Sequence, residues 1–157
     1  MEPTKRTIEA YTHLLFRYGL RTRQEVIIRC QQKGYSLQEI RAAVQQLETN
    51  GLIDDRRYAR MYLEEGLRLK EKGPKVLRWE LLQKGVDTHV IEDEWEKVRV
   101  EVDMTEIIRS YIRKRRVWTH EKIKSSLMRR GFDREWIGLV DEIYEEENRD
   151  EEEWNDS

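Results

Sequence analysis

The side chains best placed for chemistry in this chain are basic, and they fall into three clusters. Arg68, Lys70, Lys72, Lys75 and Arg78 surround Gly73-Pro74, and Arg109, Arg113, Lys114, Arg115 and Arg116 form a second group. Lys122, Lys124, Arg129 and Arg130 complete the set. Guanidinium groups pair bidentately with phosphate or carboxylate, so these residues suit recognition of a polyanion or an acidic surface. Residues 109–130 hold nine basic residues against Glu121 alone, which strengthens that reading over an ordinary solvated helix face. Trp79, Trp95, Trp118 and Trp136 could stack on bases, but each lies in or beside an expected helix, where packing explains it better. Trp118, beside Arg115-Arg116, is the strongest of them as a contact residue.

Bond-making chemistry finds no such cluster. His13, His89 and His120 lack Cys or carboxylate partners at ligand-like spacing, and no Gly-rich phosphate loop occurs. Cys30 has no evident base; it occupies a position held by Leu in two equivalent segments, so burial is its expected role. Asp54 and Asp55 look like a catalytic pair, yet capping of the following helix accounts for them. The chain is not expected to be an enzyme, and no cofactor or metal is expected.

Three copies of one short unit position these clusters. They read Cys30-Gln31-Gln32-Lys33-Gly34-Tyr35-Ser36, Leu81-Leu82-Gln83-Lys84-Gly85-Val86-Asp87 and Leu127-Met128-Arg129-Arg130-Gly131-Phe132-Asp133. Eight residues before each Gly stand Val26, Leu77 and Ile123; six residues after it stand Ile40, Ile91 and Ile137. Gly suits the residue just past a helix, where φ turns positive, and Ser36, Asp87 and Asp133 suit the N-cap of the next helix. Thr22, Gly73 and Thr119 stand where the helix before each turn begins, and Thr22 with Glu25 and Ser36 with Glu39 are capping boxes. With one more helix ahead of each unit, the spacing predicts an all-α fold of tandem three-helix repeats. The expected modules cover residues 1–51, 52–102 and 103–147, followed by an acidic tail over 148–157 that is expected to lack structure.

Composition agrees with charged-faced helices. Of the 157 residues 39% are charged and 38% hydrophobic, and only two are Pro. Each module has little core of its own, so neighbours are expected to share buried surface. The net charge of −2 hides a polarised chain. Residues 1–140 hold 29 of the 30 basic and 22 of the 32 acidic residues, a net +7, whereas residues 141–157 carry ten acidic residues against Arg149. A single cysteine excludes an internal disulfide, and no apolar run is long enough to span a bilayer, so a cytoplasmic protein is expected.

The run Gly51-Leu52-Ile53-Asp54-Asp55-Arg56-Arg57-Tyr58-Ala59, followed by Lys72-Gly73-Pro74-Lys75-Val76-Leu77-Arg78-Trp79-Glu80-Leu81-Leu82-Gln83-Lys84-Gly85-Val86, resembles the RecX family. These are bacterial regulators of the recombinase RecA. The resemblance is clearest over residues 47–91, and the repeat spacing extends it to about 20–140. It implies an elongated, curved array of three-helix repeats that binds in the groove of the RecA–single-stranded DNA filament. There the family modulates, and usually inhibits, ATP hydrolysis, strand exchange and co-protease activity in recombination, DNA repair and the SOS response. Two features depart from the family pattern: Val26-Ile27-Ile28-Arg29-Cys30 in the first repeat and the acidic end.

The expected partners are therefore the RecA nucleoprotein filament, single-stranded DNA and, further, double-stranded DNA, with no membrane and a monomeric chain. The expected contact residues are Arg68, Lys70, Lys72, Lys75, Arg78, Arg113, Lys114, Arg115, Arg116, Lys122, Arg129 and Arg130. The competing reading is a general DNA-binding helical module without filament preference; a third is a structural adaptor.

Overall fold

A computed structural model of the chain describes residues 6–156, and among them every regular element is helical. The first module contains α1 (Ile8–Leu15), α2 (Arg23–Gln32) and α3 (Leu37–Thr49); the second contains α4 (Asp55–Leu69), α5 (Pro74–Gln83) and α6 (Thr88–Glu101). The third contains α7 (Met104–Arg113), α8 (His120–Arg129), the single turn α9 (Arg134–Ile137) and α10 (Val140–Asp156).

The three glycine turns are one motif used three times. Gly34, Gly85 and Gly131 have φ of 87°, 84° and 95°, in the left-handed region that only Gly enters without strain. In each, the following residue donates back to the helix: Tyr35 N to Cys30 O (3.2 Å), Val86 N to Leu81 O (3.1 Å) and Phe132 N to Leu127 O (3.0 Å). Each glycine N–H also reaches the carbonyl three residues back, at 3.0 Å in all three. This double closure satisfies carbonyls that a helix end otherwise strands. Both expected capping boxes form, Thr22 with Glu25 and Ser36 with Glu39. Asp87 and Asp133 hold the N-cap positions without a side-chain capping bond. Asp133 instead turns its carboxylate to Lys75 of α5, at 3.3 Å.

Two differences from the sequence reading concern the end of the chain. The helix expected from Asp133 breaks at Gly138, separating α9 from α10. Residues 148–156, expected to lack structure, continue α10. Polarity alone argues for disorder there, but Glu147 and Glu151, one turn apart, meet Arg113 and Arg116, both at 2.9 Å. Pairing with fixed cations offsets the repulsion among the carboxylates.

The buried side chains divide into two cores. One gathers Ile8, Val26, Cys30, Tyr35, Ile40, Ala43, Val44 and Leu47 of the first module with Ile53, from the segment that leads into α4. The other runs without a break from Ala59 and Leu63 in α4 through Leu81, Ile91, Ile108 and Leu127 to Ile143 in α10. A continuous apolar core, expected to be shared throughout, thus joins the second and third modules, whereas the first keeps a separate one.

Candidate partner-binding surface

The contacts that join modules also decide which cations remain available. At both junctions the glycine turn of one repeat docks on the start of the second helix of the repeat before it. Thr22 Oγ1 donates to Lys84 O at 2.7 Å, and at the next junction Gly73 N donates to Arg130 O at 2.6 Å. Lys75 N adds a bond to Gly131 O at 3.0 Å. A Cβ on Gly73 would lie 2.2 Å from the Gly131 carbonyl carbon, so only Gly permits this backbone approach. Asp55 also crosses a junction: its Oδ1 accepts from Arg23 N, the first amide of α2, at 2.9 Å. Asp54 caps its own helix through Arg57 N at 3.1 Å.

Glu71 is the centre of the second junction. It is the one non-Gly residue among those described with positive φ, 52°. Its carboxylate receives Arg115 and, at 3.3 Å, Lys114, while its carbonyl accepts from Arg130 Nη1 at 3.4 Å. The Arg115 guanidinium carbon lies over the Tyr111 ring, 3.6 Å from its centre, and only 16% of the Arg115 side chain is exposed. Burial alone would raise the Glu71 carboxyl, but hydrogen bonds from Arg115 and Lys114 outweigh it and hold the pKa below the ordinary 4.5. Arg115 is thus committed to holding α7 against the end of α4.

Seven of the expected contact residues meet carboxylates of the chain itself. Lys72 pairs with Glu80 (2.8 Å), Lys75 with Asp133 (3.3 Å) and Arg78 with Glu92 (2.6 Å). Lys114 and Arg115 share Glu71, and Arg113 and Arg116 meet Glu147 and Glu151 of α10. Arg130 is taken by the Glu71 carbonyl, and Lys122 lies 4.4 Å from the Trp118 ring centre. Arg68, Lys70 and Arg129 are exposed and form no ion pair among the described residues. Glu147, buried between Arg109 and Arg113, has its pKa lowered: burial acts upward and the two arginines' hydrogen bonds win. Lys124 and His120 hold Asp141 at 2.7 and 2.8 Å, so α10 neutralises much of the third module's basic face.

The tryptophans part company. Trp95 is buried, and Trp118 and Trp136 pack against the core, as expected. Trp79 is 60% exposed on α5. Cys30 is fully buried, and burial raises its thiol pKa, in keeping with a small hydrophobe. Sequence reasoning missed Glu71, although it is the one carboxylate in the basic run from Arg68 to Arg78. That isolation was the available signal.

Residues 54–93 match the family model described as RecX, second three-helix domain. They span α4, α5 and the first part of α6. The RecX regulatory protein of Thermotoga petrophila is 31% identical over 133 residues, which cover 85% of this chain and 80% of that protein. This chain belongs to the RecX family. The RecX regulatory protein of Oceanobacillus iheyensis is 30% identical over 142 residues, and there the match covers 84% of this chain and 52% of the relative. The first curated relatives are thus spanned over about half their length, 52% and 57%. The crystal structure of RecX from Lactobacillus salivarius superposes with a TM-score of 0.72 at 25% identity, covering 88% of this chain and 94% of that one. A second RecX crystal structure, at 21% identity and TM-score 0.71, repeats the fold. RecX relatives therefore share both the middle-module sequence and the helical architecture, and they are named regulatory proteins.

Proposed function

We propose that this RecX-family chain binds the RecA–single-stranded DNA filament and inhibits its ATPase, strand-exchange and co-protease activities without catalysing a reaction itself. The observation that carries the reading is the middle module: the family match falls on it, and it ends α4 with Arg68 and Lys70, exposed cations that form no ion pair among the described residues. Arg68, Lys70 and Arg129, with Lys122 on the face of α8, are the proposed contacts to phosphate or acidic side chains. Lys72, Lys75, Arg78, Arg113, Lys114, Arg115, Arg116 and Arg130 act mainly by holding modules and α10 in place. An exposed ion pair is worth about 0–1 kcal/mol, so some of these can exchange partners on binding, but Arg115 is too enclosed to do so cheaply. Inhibition follows from preference for one filament state, which shifts the population toward it.

The test is RecA's single-stranded-DNA-dependent ATP hydrolysis during titration of the protein, beside a binding titration on the same DNA without RecA. Inhibition where bare DNA is still mostly unbound supports a filament-directed regulator. An ATPase response that only follows occupancy of bare DNA supports the general DNA-binding module instead, with its steep salt dependence.

A further inference from the structure

Helix α4 carries two apolar stripes. Ala59, Leu63, Gly66 and Leu67 are buried in the shared core. Tyr58, Met61, Tyr62 and Leu69 follow a second line at helical spacing, and two of them are largely uncovered: Met61 is 50% and Leu69 76% exposed. Tyr58, Met61 and Tyr62 of this stripe line an open cleft of about 390 Å³ between the first and second modules, together with Gly19, Leu20, Glu65 and Lys70, and Leu69 continues the stripe beside it. Folding of the described chain explains the first stripe and half-buries Tyr58 and Tyr62 of the second, but leaves Met61 and Leu69 without a use.

We infer that this cleft receives a protein side chain: an apolar residue, with a carboxylate beside it, on the protein protomer of the filament. The inference rests on the function proposed above and assigns its protein contact to α4. Three observations select that occupant. The lip carries Glu65 as well as Lys70, a mixed rim around an apolar centre, as protein interfaces have and phosphate channels lack. The two tyrosine rings already stack on each other: Tyr58 and Tyr62 lie 5.9 Å apart between centroids, and Lys84 Nζ stands 5.5 Å from the Tyr62 ring centre, which leaves less ring face for base stacking. Tyr62 is also fixed through its hydroxyl, which donates to Glu80 at 3.0 Å; burial first and then this bond push its pKa up to about 12, so it stays a neutral donor. Lys70 at the lip forms no ion pair among the described residues, which is why the partner residue should bring a carboxylate.

The test uses the Met61→Asp/Leu69→Asp variant of the full chain, with Met61→Leu/Leu69→Met as the conservative control. Both positions are exposed, so the melting temperature should stay near that of the parent protein. Two bindings are measured at equal salt: to RecA filaments assembled on a fluorescent single-stranded oligonucleotide, and to that oligonucleotide alone. The inference expects filament binding to weaken by about tenfold or more, bare-DNA binding to stay within about twofold, and the control to behave as the parent. Parallel loss of both bindings would make the cleft a nucleic-acid site, and loss of neither would leave it without a binding role; either overturns the inference. So does a sedimentation result in which the parent self-associates and the Asp variant does not, because the occupant is then a second copy. A parent protein with no preference for filament over bare DNA removes the functional reading itself, and this inference with it.

Discussion

The two junctions between modules use the same docking geometry but hold their modules by different means. Between the first and second modules the ties are polar: Thr22 Oγ1 to Lys84 O, and Arg23 N to Asp55. The cores on either side stay separate. Between the second and third, the same turn-on-helix contact is reinforced by two backbone bonds, the Glu71–Arg115 clamp and a continuous core. Each buried Leu or Ile contributes about 1.5–3 kcal/mol, so a shared core outweighs a few hydrogen bonds worth about 1 kcal/mol each. Modules two and three should unfold as one unit, and the first module should open independently.

The largest test of that contrast is Leu127→Ala. Leu127 is fully buried in the third module, and its truncation should cost about 2–5 kcal/mol. Native-state hydrogen exchange should accelerate from α4 through α8 and leave α2 and α3 unchanged; acceleration confined to the third module would mean that the two modules do not share a core.

Gly73→Ala comes next. Its Cβ meets the backbone around Gly131, so overpacking of about 1–3 kcal/mol is expected in urea denaturation. The loss should appear in the transition of modules two and three. Comparable is Glu71→Gln, which removes the carboxylate facing Arg115 and Lys114 and should cost about 1–3 kcal/mol at pH 7. It also has a pH signature. A carboxyl whose folded pKa lies below its unfolded value stabilises the fold above the unfolded pKa and loses that contribution as pH falls through the folded one. Stability of the parent should therefore decline below about pH 4.5, through Glu71 and Glu147, and the Gln variant should decline less. The smallest effect belongs to the first junction. Thr22→Val removes both the α2 cap and the bond to Lys84 O and should cost about 1–2 kcal/mol; Thr22→Ser should restore most of it.

What the sequence made legible follows from the range of the interactions. The glycine turns, the capping boxes and the repeated core positions depend on residues a few places apart, and they appear as expected. The clamp at Glu71 joins residues 44 apart, and Arg116 meets Glu151 35 residues away. No local pattern pairs them, so those basic residues read as an open surface when their charges are spent inside the molecule. The same blindness made residues 148–156 look unstructured, since the cations that steady α10 lie one module-half earlier in the chain. Arg68, Lys70 and Arg129 emerged as the unpaired members of the expected contact set only once these pairings were known.

The central claim is that the unpaired cations at the end of α4, rather than the ion-paired ones, make the regulatory contact. Its most direct test removes equal charge from each set and measures inhibition of RecA's DNA-dependent ATPase by the Arg68→Gln/Lys70→Gln and Arg78→Gln/Arg116→Gln proteins. The account predicts that the first variant loses most of its inhibition while the second keeps it. Loss in the second with inhibition retained in the first would contradict it.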